Sequence, residues 1–271
     1  MVRHGSAKPV FVGSIPTHAS KQIHQETDGF VFYCQYDTLP DMLVFGHRGF
    51  AHRSATENTL EAFQRSLILG ADGIEFDVRL SRDEEMVLVH DTNLSRIAGD
   101  GHAVAELTAS ELAKISLRHG GKIVTLQEVT ANIHAPILFD MEVKDVAVLP
   151  HLVRKLQTSQ ALRERTIVSS FHEEVIEVVR ERLPEVRTLL LVGRWPLPLR
   201  GPAFWSWLGR IRPFAIGFPA RVLTPKRIQA VHESGFQVAA WDLRGTAREA
   251  LRIKTLKLDV AIVKRVDVLK T

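Results

Sequence analysis

The chain has 271 residues, 45% hydrophobic and 24% charged, which is the composition of an ordinary globular protein with a large core. Its net charge of +4 comes without a long basic run, which argues against a nucleic-acid-binding protein. No apolar stretch approaches the roughly 20 residues of a membrane-spanning helix, and residues 1–20 lack the apolar segment of a signal peptide. The single cysteine, Cys34, excludes an internal disulfide and favours a cytoplasmic protein.

The first 41 residues show no helical or strand period that persists long enough to predict a packed element. Met42 follows them directly before the first predicted strand, where a start residue would naturally fall. We therefore expect residues 1–41 to be a disordered extension and residues 42–271 to form a single domain. The alternative is that Phe30–Tyr33 plug the bottom of that domain.

The regular elements begin with a strand and a helix. The short apolar run Met42–Phe45 ends at Gly46 and predicts the first strand. Asn58 and Glu61 have the spacing of a capping box, which predicts a helix with Asn58 as its N-cap and Glu61 at its third position.

Two further strands are predicted at Gly73–Val78 and Val87–His90, with polar residues 81–85 between them. This connection is too short and too polar for a helix, so the two strands predict a hairpin. In that hairpin His90 would return level with Glu75.

The next segment, residues 91–125, is rich in Gly, Thr, Ser and Ala and predicts a small insertion with a short helix near residues 109–115. After it the strand and helix patterns alternate again. The predicted strands are 136–143, 166–170, 187–192, 213–217, 236–241 and 259–263, and the predicted helices are 126–132, 146–157, 172–182, 224–234 and 245–254, with one more within 202–210.

The alternation gives about eight parallel strands with helical crossovers. The predicted fold class is therefore α/β, a (β/α)8 TIM barrel with a small insertion after the second-strand hairpin. An open doubly wound sheet is the alternative. It would usually carry a glycine-rich phosphate loop after the first strand, and the segment His47–Gly49 is not such a loop.

Acidic side chains follow the predicted strands closely. Alternate residues of a strand point to the same face, so Glu75 lies beside Asp77, and Glu142 beside Lys144. In a barrel the carboxyl ends of the strands carry the active site. Three carboxylates around one point form an oxygen-rich site that suits Mg²⁺ or Ca²⁺.

Histidines and cations occur at the same strand ends. His47 and His90 would supply a general acid and a general base beside the metal. Arg48 and Lys144 would add positive charge for an anionic substrate. Together with the carboxylates, these residues predict metal-assisted cleavage of a phosphate ester.

In order and spacing, these residues resemble the glycerophosphodiester phosphodiesterase family, whose barrel is like that of the phosphatidylinositol phospholipases C. The resemblance covers residues 42–271. The matching segments are His47-Arg48-Gly49, Glu57-Asn58-Thr59, Glu75-Phe76-Asp77, His90-Asp91, Glu142-Val143-Lys144, Ser169-Ser170-Phe171 and Trp241.

The resemblance implies a metal-dependent hydrolase of phospholipid and glycerol metabolism, which converts glycerophosphodiesters to an alcohol and glycerol 3-phosphate. It also implies a role for each matching residue. The implied roles are metal binding for Glu75, Asp77 and Glu142, acid–base catalysis for His47 and His90, substrate binding for Arg48, Lys144 and Trp241, and support of the metal and His47 for Glu57. The implied cofactor is one divalent cation, Mg²⁺ or Ca²⁺.

The chain departs from the family pattern in two places. Asp242–Arg244 stand where the family usually has Thr-Val-Asn, and Val263–Val266 stand where it often has Ile-Thr-Asp-x-Pro. Arg244 and Lys264 would favour a more anionic head group, or are simply surface charges.

Related functions stay open beside the first. One is a lysophospholipase D-like or cyclic-phosphate-forming phospholipase, and another is a non-catalytic barrel that binds phosphodiesters. The expected partner is a small glycerophosphodiester, with no nucleic acid. The aromatic and basic segment Trp195–Arg212 would give peripheral contact with a membrane, or would pack on the outside of the barrel.

Overall fold

The computed structural model describes residues 42–51, 55–134, 136–193 and 202–270. The predicted extension at residues 1–41 lies outside them. Within these ranges one sheet contains all the named strands: β1 (Leu43–His47), β2 (Gly73–Leu80), β3 (Met86–Leu88), β4 (Leu138–Val143), β5 (Thr166–Ser170), β6 (Arg187–Leu191), β7 (Ala215–Pro219), β8 (Gln237–Leu243) and β9 (Val260–Val263).

The sheet closes on itself because β1 pairs in parallel with both β9 and β2. In this closure Phe45 stands opposite Gly73 on one side and Ile262 on the other. All strands except β3 are parallel to their neighbours. The (β/α)8 barrel is therefore confirmed, and the open doubly wound sheet is excluded.

Helices cover the outside of the barrel. The α-helices of the described ranges are α1 (Leu60–Ile68), α2 (Ser95–Ala98), α3 (Ala109–Leu112), α4 (Leu126–Asn132), α5 (Leu149–Thr158), α6 (Gln160–Glu164), α7 (Glu173–Arg182), α8 (Pro202–Ile211), α9 (Pro225–His232) and α10 (Ala247–Thr255). Short 3-10 turns lie at Val104–Glu106, Val146–Val148, Ala220–Val222 and Val266–Val268.

The core has an inner and an outer part because alternate strand residues face opposite sides of the sheet. Leu43, Phe45 and Leu138 belong to the cluster inside the barrel. Phe76 and Phe139 face outward towards the helices, with ring centroids 5.6 Å apart. Burial of such a side chain contributes roughly 1.5–3 kcal/mol to stability. The inner residues near the carboxyl ends of β1, β2 and β4 are polar instead, so the barrel carries a polar surface at that end.

The predicted hairpin is present as the antiparallel pair β2 and β3. Its register differs from the prediction, because the pairing ends at Val78 and Leu88 and leaves His90 beyond the strand. In this register His90 would stand level with Phe76, and not with Glu75. The Arg79 guanidinium donates to the His90 carbonyl over 2.9 Å and holds this segment after the pairing has ended.

Residues 91–125 form a compact layer with α2, α3 and one 3-10 turn. Their apolar side chains make a separate small core that includes Leu94, Ile97 and Leu112 and rests on Val87 and Val89. This small core fixes α2 against the end of the hairpin.

The N-cap of helix α1 lies one residue later than predicted, so Glu61 is the second residue of the helix and not the third. Thr59 is the N-cap, and its hydroxyl accepts a hydrogen bond from the Ala62 N–H over 3.3 Å. The prediction of Asn58 as N-cap is wrong because Asn58 has a left-handed backbone (φ +59°) and its side chain turns towards β2. Asparagine tolerates this conformation better than most residues.

Helix α8 carries three aromatic side chains from the segment proposed to contact a membrane. Phe204, Trp205 and Trp207 are partly buried and pack against the outer core, and Phe204 lies 5.0 Å from the Trp205 ring. Trp195 lies outside the described residues. In the described part of the chain, no helix is long and apolar enough to cross a membrane.

Candidate active site

Three carboxylates meet at the carboxyl ends of β2 and β4. Glu75 and Asp77 point inward from alternate positions of β2, and Glu142 stands opposite Asp77 on β4. One oxygen atom from each carboxylate lies within 4.8 Å of the other two. All three side chains are buried, and Glu75 Oε1 has no hydrogen-bond donor among the described residues. A cluster of this kind suits a hard divalent cation that accepts oxygen ligands.

Two cations border the carboxylate cluster. Lys144 Nζ lies 3.0 Å from Asp77 Oδ1 and also pairs with Glu142. Arg48 Nε lies 3.1 Å from Asp77 Oδ2, and the Arg48 backbone N–H donates to Glu75 Oε2 over 2.7 Å. Arg48 has a left-handed backbone (φ +57°), and its N–H and its guanidinium both reach the cluster from one short loop. These cations are close enough to the cluster to contact a phosphate bound there.

The charges of this group shift the pKa values of the three carboxyl groups in different directions. Burial opposes ionisation of Asp77, but the cations of Arg48 and Lys144 outweigh it and lower its pKa to about 2. Burial and the neighbouring charges of Asp77 and Glu142 raise the pKa of Glu75 well above its usual value. Burial also raises the pKa of Glu142, with the Asp77 charge as the next cause. A divalent cation would relieve this repulsion and favour the ionised form of all three groups.

Two histidines lie near this cluster. His47 ends β1, and its Nε2 lies 3.9 Å from Glu75 Oε2. Burial, followed by the Arg48 cation, lowers the pKa of His47 to about 3, so its imidazole is neutral near pH 7. His90 Nδ1 lies 2.6 Å from Asp91 Oδ1. Burial lowers the pKa of His90, while the Asp77 charge and the hydrogen bond to Asp91 oppose this shift. An aspartate at this distance also orients the ring, an arrangement common in general acid–base catalysis.

An outer layer of polar residues supports the site. Glu57 Oε1 accepts from Arg48 over 2.7 Å and from Arg96 over 2.6 Å. Glu57 therefore reaches the cluster through Arg48, and through Arg96 it is linked to Asp91. The Asn58 amide donates to Asp77 Oδ2 over 2.8 Å, which helps to fix that carboxylate.

The opposite side of the barrel mouth is aromatic. Trp241, on β8, packs edge-on against Phe171 with ring centroids 5.5 Å apart. Phe171 is 44% exposed, and the buried Trp241 indole N–H has no acceptor within the described ranges. Gly217, on the neighbouring strand β7, makes room for Leu191, because a Cβ there would lie 2.7 Å from Leu191 Cδ2. The mouth therefore combines a charged side with an aromatic side.

Four polar residues of this region had no role in the predicted site, and the structure places each beside a predicted site residue. Asn58 contacts Asp77, and Asp91 contacts His90. Arg96 contacts both Glu57 and Asp91. Asp140, buried on β4, stands opposite Glu75. For Asp140 a signal was available, because it precedes Glu142 by two residues and so shares its face.

The two departures from the family pattern lie at the ends of β8 and β9. Asp242 adopts a left-handed backbone (φ +61°) within an irregular part of β8, and its carboxylate lies 3.2 Å from Arg221. The Lys264 cation also lowers the pKa of His47, after the larger effects of burial and of the Arg48 cation, whereas the Asp77 carboxylate opposes this shift.

Comparison with known proteins agrees with this arrangement. The model of the glycerophosphoryl diester phosphodiesterase family matches residues 47–268. A glycerophosphodiester phosphodiesterase of Caldanaerobacter subterraneus subsp. tengcongensis is 31% identical over 216 residues, which are 73% of this chain and 84% of the relative.

Solved structures are similar over most of the barrel. The crystal structure of a glycerophosphodiester phosphodiesterase from Thermotoga maritima has a TM-score of 0.70 and 26% identity, and the match covers 84% of this chain and 96% of that chain. A phosphodiesterase of Oleispira antarctica, in complex with the product sn-glycerol-3-phosphate, has a TM-score of 0.74 and 21% identity over 84% of this chain and 95% of its own. The chain therefore belongs to the glycerophosphoryl diester phosphodiesterase family, and the predicted hydrolase of glycerophosphodiesters is confirmed.

Proposed function

We propose that this glycerophosphodiesterase works with one divalent cation, Mg²⁺ or Ca²⁺, held by Glu75, Asp77 and Glu142. The observation that carries the proposal is the buried triad, whose oxygen atoms converge within 4.8 Å. A bound cation would neutralise the phosphate oxygens and polarise the phosphorus. The orphaned Glu75 Oε1 supports this role, because a buried carboxylate oxygen without a donor is costly unless something binds it.

Arg48 and Lys144 bind the phosphate group in this proposal. Both cations already lie against carboxylates of the triad, so a phosphate at the metal would be within their reach. Charge-assisted hydrogen bonds of this kind orient a phosphodiester and stabilise the charge that develops in the transition state.

The proton transfers are assigned to the two histidines. His47 is neutral near pH 7, so its imidazole can accept a proton from the nucleophile as a general base. His90 is supported by Asp91, which suits an acid that protonates the leaving alkoxide. The nucleophile is water, or the neighbouring glycerol hydroxyl of the substrate if a cyclic phosphate forms first.

The products in this proposal are glycerol 3-phosphate and an alcohol. The similarity to the Oleispira antarctica phosphodiesterase, whose structure contains sn-glycerol-3-phosphate, supports the first product. Trp241 would contact the organic part of the substrate, because it forms the aromatic side of the mouth. A cytoplasmic location and peripheral membrane contact through residues 195–212 stay predictions, as does the single domain at 42–271.

The test is a product assay on glycerophosphocholine, glycerophosphoethanolamine and a lysophospholipid. We expect chelation to abolish activity, and added Mg²⁺ or Ca²⁺ to restore it. Glu142→Gln should need a much higher metal concentration, whereas Glu185→Gln, which removes only an exposed partner of Arg163, should behave as wild type. Full turnover by Glu142→Gln at the wild-type metal concentration would contradict the ligand assignment. Preferred cleavage of the lysophospholipid would favour the lysophospholipase D alternative.

A further inference from the structure

One arginine of the insertion contacts two separate carboxylates near the active site. Arg96 lies on the short helix α2, and its guanidinium lies between Glu57 and Asp91. Its Nη1 and Nη2 donate to the two Glu57 oxygens over 2.9 and 2.6 Å, and its Nε donates to Asp91 Oδ2 over 2.6 Å. The planar guanidinium is suited to such a two-sided contact, whereas the single ammonium of a lysine is not.

Each of the two carboxylates that Arg96 binds also contacts a residue of the proposed mechanism. Glu57 Oε1 accepts from Arg48 Nη1 over 2.7 Å. Asp91 Oδ1 lies 2.6 Å from His90 Nδ1. Arg96 is therefore one contact away from a phosphate-binding residue and one contact away from a proton-transfer residue.

We propose that Arg96 is a positioning residue that holds the Arg48–Glu57 pair and the His90–Asp91 pair in one geometry. The proposal rests on the proposed function, because it assigns Arg96 a role through Arg48 and His90. It also gives the insertion a function, since residues 91–125 carry the side chain that links the two pairs.

The exposure of the Arg96 side chain allows a positioning role to be distinguished from a contribution to folding stability. Its side chain is 48% exposed, and exposed ion pairs contribute little to folding stability. Outer residues that orient groups of an active site, in contrast, commonly change activity by about 10–100-fold when they are removed. We therefore expect loss of Arg96 to reduce catalysis more than it reduces the melting temperature.

The two contacts predict different kinetic effects. Without the bond to Asp91, His90 would be held less firmly for proton transfer, and kcat would fall. Without the bonds to Glu57, Arg48 would be held less firmly for phosphate binding, and KM would rise. We expect Arg96→Ala to lower kcat/KM by about 10–100-fold. Arg96→Lys should recover only part of this loss, because one ammonium cannot bind both carboxylates in the same way.

A matched control is available in Arg82, at the turn of the hairpin. Its guanidinium donates to Glu111 Oε2 and to the Glu106 carbonyl over 2.9 Å each, and its side chain is 53% exposed. Arg82→Ala removes a comparable ion pair between the hairpin and the insertion, and neither of its partners contacts a residue of the proposed mechanism in the bonds given above. It should keep wild-type kinetics.

The experiment compares steady-state kinetics on glycerophosphocholine and on a nitrophenyl phosphodiester, with melting curves for every variant. We expect Arg96→Ala to lose less of its kcat on the nitrophenyl substrate, whose leaving group needs little protonation. The contact between Arg96 and Asp91 is already weakened in the Asp91→Asn variant. Adding Arg96→Ala to that variant should therefore lower kcat further by less than about threefold.

Wild-type activity distinguishes failure of this inference from failure of the proposed function. An inactive wild type, with metal present, would overturn the proposed function itself. An active wild type with unchanged kinetics in Arg96→Ala would overturn only the positioning role. Fully additive losses in kcat from Arg96→Ala and Asp91→Asn, or an equal loss in Arg82→Ala, would also overturn it.

Discussion

His47 and His90 differ in their immediate neighbours, and this difference leads to a prediction about catalysis. His47 lies beside Glu75 and Arg48, while His90 is hydrogen-bonded to Asp91. Removal of a general acid or base typically costs about 10²–10⁴ in rate. We expect a loss of that order in kcat for His47→Ala and for His90→Ala, with unchanged melting temperatures.

A substrate with a nitrophenyl leaving group should assign the two roles. Because this leaving group departs without protonation, it should restore activity to the variant that lacks the acid. We expect rescue of His90→Ala and little rescue of His47→Ala. Rescue of His47→Ala alone would reverse the roles, and near wild-type turnover of either variant on glycerophosphocholine would remove that histidine from the mechanism. His102→Ala, which changes an exposed histidine paired with Asp100, is the control.

Residues that follow strand alternation could be identified from the sequence. Glu75, Asp77 and Glu142 belong to this group, because two-residue spacing on a strand already brings side chains to one face. Asn58 and Arg96 could not be identified in this way. Their roles depend on the approach of a loop and of the insertion to the barrel, which no local period describes.

At the level of the elements, the loop from β1 to α1 requires glycine at position 49. Gly49 has a left-handed backbone (φ +74°), and a Cβ there would lie 2.6 Å from the Ala62 carbonyl carbon and 2.8 Å from the Phe63 nitrogen. The loop therefore runs against the backbone of α1, and only glycine fits. Arg48, the preceding residue, depends on this path for its contacts with Glu75 and Asp77.

We predict that Gly49→Ala lowers both stability and activity. The left-handed conformation alone costs an alanine about 1–2 kcal/mol, and the backbone clash adds to it. A total above about 2 kcal/mol would lower the melting temperature by roughly 4 °C or more at this chain length. Calorimetry and the product assay measure the two effects.

Gly120 provides the comparison for this prediction. It has a similar backbone (φ +79°), but a Cβ there would meet no atom within 4 Å. Gly120→Ala should therefore show only the conformational cost and keep its activity. Equal effects of the two substitutions would contradict the argument from the close approach to α1.

Local patterns predicted the existence of the elements better than their pairing or their exact ends. Apolar runs identified β2 and β3, but the register of the hairpin depends on the geometry of its turn, and β3 ends at Leu88. Asn58 was predicted as a cap because asparagine favours that position, whereas the backbone assigns the cap to Thr59. In both cases the path of the backbone, which no apolar pattern describes, decided between local alternatives.

For the molecule as a whole, barrel closure brings charges from distant parts of the sequence to one end. The alternation of strands and helices was sufficient to predict the barrel, because right-handed crossovers leave few other arrangements. The alternation did not predict that the barrel would bury carboxylates at a cost in folding free energy. Asp140 stands opposite Glu75 inside the barrel, and its two carboxylate oxygens have no hydrogen-bond partner within the described residues.

This buried carboxylate gives the metal-free protein a pH-dependent stability. Burial raises the pKa of Asp140 from 3.8 to about 7; the charges of Glu142 and Asp77 add to this shift, whereas the Ser169 hydroxyl and the Lys144 cation oppose it. Between about pH 4 and pH 7 the native state keeps a proton that the unfolded state has released. The free energy of unfolding therefore falls as the pH rises, by at most about 1.4 kcal/mol per pH unit from this group.

We predict that Asp140→Asn removes much of this fall, because an amide has no proton to release in this range. Urea unfolding between pH 4 and pH 8, with a chelator present, should show similar stability of the two proteins at the acidic end. At pH 8 the variant should be more stable than wild type by up to a few kcal/mol. Asp267→Asn, which changes a carboxylate paired with Arg265 on the surface, should leave the fall in place. An unchanged pH dependence in Asp140→Asn would show that Asp140 is ionised in the native protein and that its neighbours, first the Ser169 hydroxyl and then the Lys144 cation, offset the cost of its burial.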